Sequence, residues 1–242
     1  MLPLILLIQI AELRVVFEKG FGFEASIIEL QYIGVEPQIQ LDTAIANLVR
    51  KYDRSDERRL LIVYYSGHGS ASTEYANELM IAGPYDGKLG TRTVNGKVHL
   101  PQADFCQAAR ILQENTASDV LVILDCCHAG SFLTDTHQSE NDRCYEVMVA
   151  TGRDGATPLP GPASYTAALI ESLKECRQRG EAMTTPDLAQ MIMKKQKWKK
   201  ESELHSVLLG RDRRHIVLAP PVGLMGLLEE EDCMHLGTLL YR

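Results

Sequence analysis

The chain has 242 residues, of which 45% are hydrophobic and 24% charged, a composition ordinary for one soluble globular domain. A domain of this size buries enough surface to hold a core without disulfides or a structural metal. The net charge of −7 and the pI near 5.5 argue against a nucleic-acid-binding surface, so no nucleic-acid partner is expected.

The six cysteines form neither a CxxC pair nor the paired blocks of a zinc site. We therefore expect no disulfide scaffold, no bound metal and no other cofactor. The apolar start, residues 1–10, lacks a basic leader and a small-residue cleavage site. No apolar run reaches the roughly 18–20 residues that cross a bilayer. The expectation is a cytoplasmic protein without membrane association.

Helical periods alternate with short apolar runs, which predicts an α/β fold. A first helix is predicted at 8–19, ended by Gly20 and Gly22 and followed by an apolar stretch at 23–30. A second is predicted from Pro37 to Tyr52. The apolar residues at helical spacing are Leu13, Val16 and Phe17 in the first helix and Leu41, Ile45, Leu48 and Tyr52 in the second.

Two uninterrupted apolar runs have the composition of strands buried on both faces of a parallel sheet. Leu60–Tyr65 ends in Ser-Gly-His68-Gly69. Val120–Leu124 follows a predicted helix at about 101–113 and ends in Asp125-Cys-Cys-His-Ala-Gly. Because the carboxyl ends of strands in an open α/β sheet face the ligand crevice, these polar residues are expected at a common site.

A thiol with a histidine in reach is the minimal equipment for acyl transfer from a peptide bond, since the histidine takes and later returns a proton. Gly69 has no side chain in the way, so its N–H and that of the nucleophile are candidates for an oxyanion hole. A zinc site built from the same histidines and cysteines is disfavoured. Zinc would occupy the nucleophile, and the spacings match no standard arrangement.

The blocks SGHG and DCCHAG resemble the two signature blocks of metacaspases and their caspase relatives. In the metacaspase block D-x-C-H-x-G the nucleophile is the third residue, which selects Cys127 over Cys126, and the histidine corresponds to His68. The two lie 59 residues apart, comparable with the offset of about 50 in caspases. The resemblance implies a caspase-like three-layer α/β/α sandwich with a mostly parallel central sheet. His128 is expected to orient the turn and Cys126 to fill space.

The similarity extends to YEVMVATGRD, like the strand after the nucleophile loop, to SYTAALIESL, like the next helix, and to HIVLAP at 215–220, like the closing strand. Residues 1–220 are therefore predicted to form the peptidase domain, and 221–242 a divergent C-terminal tail. The usual first strand of the fold should precede the helix at 8–19, where only Leu2 to Gln9 is available. The domain is accordingly expected to lack that strand.

A pocket that binds a lysine or arginine side chain needs a carboxylate. The resemblance to metacaspases implies a pocket of this kind. The resemblance assigns Asp125 and Asp154 to this pocket, although Arg153 could neutralise Asp154 or itself favour an acidic side chain. Asp125 has the alternative role of capping its turn. The polar loop 131–144 resembles a stretch that such enzymes cut in themselves, with Arg143 as the candidate.

The sequence thus predicts a hydrolase, a thiol endopeptidase acting after Arg or Lys on protein or peptide substrates. The resemblance is to fungal caspase-domain proteins and implies a role in programmed cell death (apoptosis) or stress proteolysis. The alternative is a catalytically inactive caspase-like interaction module. A monomer or weak dimer is expected, and the resemblance leaves calcium activation open.

Overall fold

The structure is a computed structural model, and it describes residues 2–31, 36–53, 59–72, 78–82, 92–94, 97–99, 101–132, 137–138, 142–197, 202–209, 214–221 and 235–241. Within these ranges the helices are α1 (Leu2–Phe21), α2 (Pro37–Tyr52), α3 (Phe105–Glu114), α4 (Tyr165–Arg179) and α5 (Thr185–Lys195), with a short 3-10 helix at Ala129–Phe132. The strands are β1 (Phe23–Glu29), β2 (Leu60–Gly67), β3 (Gly69–Ala71), β4 (Leu79–Ile81), β5 (Arg92–Val94), β6 (Lys97–His99), β7 (Ala103–Asp104), β8 (Asp119–Cys126), β9 (His137–Gln138), β10 (Tyr145–Val149), β11 (Met183–Thr184), β12 (Glu203–Leu209), β13 (Val217–Leu218) and β14 (His235–Tyr241).

A seven-stranded sheet with the order β1-β14-β2-β8-β10-β12-β9 forms the centre of the described structure. The first five strands in this order are parallel to their neighbours, β12 is antiparallel to β10, and β9 is parallel to β12. β2 and β8 lie in the middle with nearly every side chain buried, as strands covered on both faces require. The mostly parallel central sheet is confirmed.

Helices cover both faces of this sheet. On one face α2 and α3 contribute Leu41 and Leu112 to a buried apolar cluster. On the other, α1 and α4 contribute Leu13 and Leu169 to a second cluster, which α5 also joins. Successive residues of β8 belong alternately to the two clusters, because side chains of a strand point to opposite faces. The predicted three-layer sandwich is therefore confirmed.

The first helix is longer than the 8–19 predicted, because the apolar run at the start of the chain is helical from Leu2 and the helix continues through Gly20 to Phe21. This apolar run is therefore helical and does not form a strand. Gly22, at φ +73°, follows the last helical residue in the left-handed conformation common after helix ends. The second helix coincides with its prediction, Pro37–Tyr52. Although α1 has 20 residues, none of the described helices combines the length and apolarity needed to cross a membrane.

Part of the predicted C-terminal tail lies inside the sheet. β14, residues 235–241, is hydrogen-bonded in parallel to β1 on one side and β2 on the other. Its register pairs Thr238 with Ser26 and with Val63. Because the backbone of β14 is paired on both edges, it links β1 to the rest of the sheet. Residues 222–234 of the predicted tail lie outside the described residues.

A proline at position 238 tests the placement of β14. Thr238→Pro removes an N–H in a strand paired on both edges and introduces a ring that the sheet does not accommodate. We expect the free energy of unfolding to fall by on the order of 3 kcal/mol, measured by urea denaturation of the full chain. Thr238→Val is the matched control, since valine keeps the N–H and the β-branched side chain. Equal midpoints for the two variants would contradict the pairing.

Candidate active site

The ends of β2 and β8 bring the predicted catalytic residues side by side. The two strands are parallel neighbours, and the last pair in their register joins Gly67 to Cys126. His68 directly follows the end of β2, and Cys127 directly follows the end of β8. Since neighbouring strands lie about 4.8 Å apart, the backbones at these two positions are adjacent. The two strand ends that were expected to share a site are therefore neighbours in the sheet.

Gly69 is where the two chain segments touch. A Cβ added at this glycine would lie 2.3 Å from the carbonyl oxygen of Cys127 and 2.9 Å from the sulfur of Cys126. Both distances are too short for real atoms, so a side chain larger than hydrogen would push the segments apart. The glycine after His68 is thus required for the close approach of the histidine loop to the nucleophile loop.

The turn after Cys127 is fixed by backbone hydrogen bonds. His128 has a φ of +58°, and its N–H donates to the carbonyl oxygen of Gly155 at 2.8 Å. Its ring Nδ1 lies 2.8 Å from the carbonyl oxygen of Arg153, which can only accept, so Nδ1 carries a proton. The N–H of Gly130 donates to the carbonyl of Thr151 at 3.0 Å. His128 therefore orients the turn, as the sequence predicts.

Burial distinguishes the two neighbouring cysteines. Cys126 is fully buried, and desolvation, with a smaller contribution from the charge of Asp125, raises the pKa of its thiol well above the ordinary value. Burial therefore favours the protonated form of this thiol. Cys127 is only partly buried, and its sulfur lies 3.8 Å from the hydroxyl oxygen of Thr157. Accessibility therefore favours Cys127 as the nucleophile.

His68 has an electrostatic environment that favours its neutral form. The ring reaches solvent, yet the surrounding groups partly desolvate it, and this is the main reason that its pKa is lowered. Repulsion from the positive charge of His128 lowers the pKa of His68 further. A neutral imidazole is the form that accepts a proton from a thiol, so His68 is prepared to act as a general base at neutral pH.

A buried tyrosine orients the peptide between His68 and Gly69. The hydroxyl of Tyr65 donates to the carbonyl oxygen of His68 at 2.8 Å and accepts from the N–H of Ala82 at 3.0 Å. In a planar trans peptide the N–H points away from the carbonyl, so the N–H of Gly69 is directed away from Tyr65. Ala82 has a φ of +58°, an uncommon conformation for a non-glycine residue. The tyrosine thus fixes the group predicted for the oxyanion hole.

Asp125 is the second-last residue of β8, and its carboxylate is bound by the start of α4. Its Oδ2 accepts hydrogen bonds from the backbone N–H of Thr166 at 3.2 Å and from the Thr166 hydroxyl, which in turn accepts from Tyr64. Burial raises the pKa of Asp125 to about 6, and the Thr166 hydrogen bonds oppose that rise. This carboxylate is held in place by α4.

The other two predicted residues, Asp154 and Arg143, differ in exposure. Asp154 is exposed on the loop between β10 and α4, and no hydrogen bond between it and Asp125 is found in the described residues. Arg143 is 5% exposed, and its guanidinium donates to the carbonyls of Leu112 and Gln113 and to Thr116 at the end of α3. Self-processing at Arg143 would require this region to open, so it stays a prediction.

Three residues of the site were not predicted: Tyr65, Thr157 and Thr166. Tyr65 is the last residue of the apolar run in β2. Because a buried tyrosine hydroxyl needs hydrogen-bond partners, the sequence could have indicated a polar contact here. Thr157 lies in the loop after β10, which is also a parallel strand of this sheet. The same strand-end rule that identified His68 and Cys127 could therefore have drawn attention to this loop.

Comparison with known families agrees with this geometry. The model of the family described as Caspase domain matches residues 9–209. The chain therefore belongs to the caspase-domain family, which supports a cysteine peptidase-like function. A search of curated protein sequences finds no match to the chain.

Replacing His128 tests the electrostatic control of His68. Asn tolerates positive φ and keeps an N–H donor for the Arg153 carbonyl, while it removes the charge that lowers the pKa of His68. Because a histidine accepts a proton only in its neutral form, a general-base role of His68 predicts that His128→Asn moves the acidic limb of the kcat/KM pH profile to higher pH. The profile is measured with a peptide substrate at low and high salt.

Salt provides the control for this shift. High salt screens the repulsion between the two histidines, so it should move the acidic limb of the parent in the same direction and that of the variant less. An acidic limb that stays in place or moves to lower pH in His128→Asn would contradict the interaction.

Proposed function

We propose that the chain is a cysteine endopeptidase with Cys127 as nucleophile and His68 as general base and acid. The observation that carries the proposal is the parallel register of β2 and β8, which ends with Gly67 beside Cys126 and so makes His68 and Cys127 neighbours. The partial exposure of Cys127 and the lowered pKa of His68 support the same roles.

In this mechanism His68 takes the proton of the Cys127 thiol, and the thiolate attacks the carbonyl carbon of the scissile peptide bond. The N–H groups of Gly69 and Cys127 stabilise the negative charge that develops on the carbonyl oxygen. The imidazolium then gives its proton to the leaving amine, and a thioester remains on Cys127. Water, deprotonated by His68, hydrolyses the thioester and restores the thiol.

Asp125 is the proposed recognition group for an arginine or lysine side chain of the substrate. Its Oδ2 is occupied by Thr166, whereas none of the described residues donates to Oδ1. Burial makes ionisation of the Asp125 carboxyl group unfavourable, as its raised pKa indicates. Binding of a substrate cation would account for a carboxylate at this buried position. Asp154, exposed on the neighbouring loop, is proposed to lie at the rim of the same pocket.

The motifs around His68 and Cys127 support a finer assignment as a metacaspase-type enzyme acting on proteins in programmed cell death or stress proteolysis of a fungus. A cytoplasmic location is consistent with the cysteines, since none of the five in the described residues is in a disulfide.

Among the described residues no group of three or more metal-ligating side chains occurs. Calcium dependence is therefore tested directly, by adding calcium or a chelator to each assay.

A thiol-reactive peptide probe tests the catalytic pair. We expect the parent to be labelled at Cys127, Cys127→Ala to be unlabelled, and His68→Ala to react roughly 100-fold more slowly, because general-base assistance is lost. Cys126→Ala is the matched control and should keep its labelling, since Cys126 is buried. Labelled residues are identified by mass spectrometry of folded protein. A folded parent that no peptide probe labels would favour the interaction module.

Asp125→Asn tests the substrate pocket. Cleavage of a peptide library after arginine or lysine should fall roughly 100-fold in kcat/KM, since a buried carboxylate partner is lost. The matched control, Asp154→Asn, changes an exposed carboxylate on the loop and should reduce cleavage less. Unchanged cleavage after basic residues in Asp125→Asn would contradict its role in recognition.

The same variant has a predicted effect on stability. The folded pKa of Asp125, about 6, is above its ordinary value of 3.8, so the folded state binds more protons between these pH values. The contribution of Asp125 to stability therefore falls as pH rises through this window, by on the order of 3 kcal/mol. Asp125→Asn should lack this fall, and urea denaturation at pH 4 and pH 7.5 measures it. An identical pH dependence in parent and variant would show that the carboxylate is not buried.

A further inference from the structure

Thr157 contacts the sulfur of the nucleophile. Its Oγ1 lies 3.8 Å from the Sγ of Cys127, within the range of a hydrogen bond that involves sulfur. Both side chains are half-buried, so the contact is neither in the dry core nor fully in water. Neither the residue pattern nor the resemblance to metacaspases pointed to this threonine.

The loop that carries Thr157 is fastened to the nucleophile turn. The N–H and Nδ1 of His128 are bound by the carbonyls of Gly155 and Arg153, and the carbonyl of Thr151 accepts from Gly130. These three hydrogen bonds connect residues 151–155 to residues 128–130. Thr157 follows two residues later, so its position relative to the sulfur is set by the same contacts.

Close packing leaves this loop little freedom to move. A Cβ added at Gly130 would lie 2.5 Å from the backbone nitrogen of Arg153, and one added at Gly155 would lie 1.4 Å from the hydroxyl oxygen of Thr151. Within the loop, the N–H of Gly155 also donates to the carbonyl of Gly152 at 3.0 Å. The turn and the loop therefore behave as one unit, and the hydroxyl of Thr157 belongs to it.

A hydroxyl at this place matches both states of the sulfur. It can accept from the thiol, and by rotating its hydrogen it can donate to a thiolate. Hydrogen bonds to a charged acceptor are stronger than those between neutral groups, so the contact favours the thiolate over the thiol. A methyl group in the same position would offer neither interaction.

We propose that Thr157 is a further catalytic residue, whose hydroxyl accepts from the resting Cys127 thiol and donates to the thiolate once the proton has moved to His68. The inference rests on the proposed function, in which Cys127 is the nucleophile. No covalent bond to Thr157 forms: the proton passes from sulfur to imidazole, and the hydroxyl hydrogen changes its direction.

The test is the rate of alkylation of Cys127 by iodoacetamide as a function of pH, with the modified residue located by mass spectrometry. Thr157→Val is nearly isosteric and lacks the hydroxyl. We expect it to react roughly tenfold more slowly near neutral pH and to reach its half-maximal rate at higher pH than the parent. Thr157→Ser, which restores the hydroxyl, should recover most of the rate, and Thr157→Ala should behave like Thr157→Val.

Thr43→Val is the matched control. It makes the same replacement at an exposed threonine of α2, outside both the loop and the nucleophile turn. Its alkylation profile should follow that of the parent. If Thr157→Val and Thr157→Ala both keep the rate and the pH midpoint of the parent, the inference is wrong.

Alkylation and peptide hydrolysis separate this inference from the proposed function. A parent that hydrolyses peptides through Cys127, together with an unchanged alkylation profile in Thr157→Val, overturns the role of Thr157 alone. A parent that hydrolyses no peptide, together with a slower and shifted alkylation in Thr157→Val, overturns the peptidase and supports the contact between hydroxyl and sulfur.

Discussion

The parallel pairing of β2 with β8 is the contact on which the site depends. It sets the lateral position of two residues far apart in the chain, because the register ends one residue before each of them. Gly69 then permits the two loops to meet with atoms in contact. The sheet thereby brings together the chain at His68 and at Cys127, which are 59 residues apart in sequence. Helices packed on both faces hold the strands in place.

Differences in solvation assign different properties to groups that lie close together. Full burial raises the pKa of the Cys126 thiol and that of Asp125, whereas partial burial lowers the pKa of His68 and leaves its ring accessible. Cys127 lies at the border between these environments. The structural thiol of Cys126 and the proposed nucleophile Cys127 are thus consecutive residues that differ in burial.

The features predicted from sequence are those with a local cause. The bounds of α2 follow from its apolar spacing and Pro37, and β2 and β8 from their apolar runs, whose ends identified His68 and Cys127. The place of β14 in the sheet could not be predicted in this way, since it depends on pairing with distant strands. The burial of Arg143 was likewise missed, because only the tertiary contacts with α3 cover its charge.

The location of β14 has a consequence for how the protein matures. Its neighbours β1 and β2 precede it in the chain, and residues 235–241 begin 168 residues after the end of β2. Until then two parallel edges remain unpaired, a state in which chains are prone to aggregate and which chaperones would be expected to bind. Closing the sheet across such a sequence separation is slow. A nascent chain would therefore complete its central sheet only after residues 235–241 have been made.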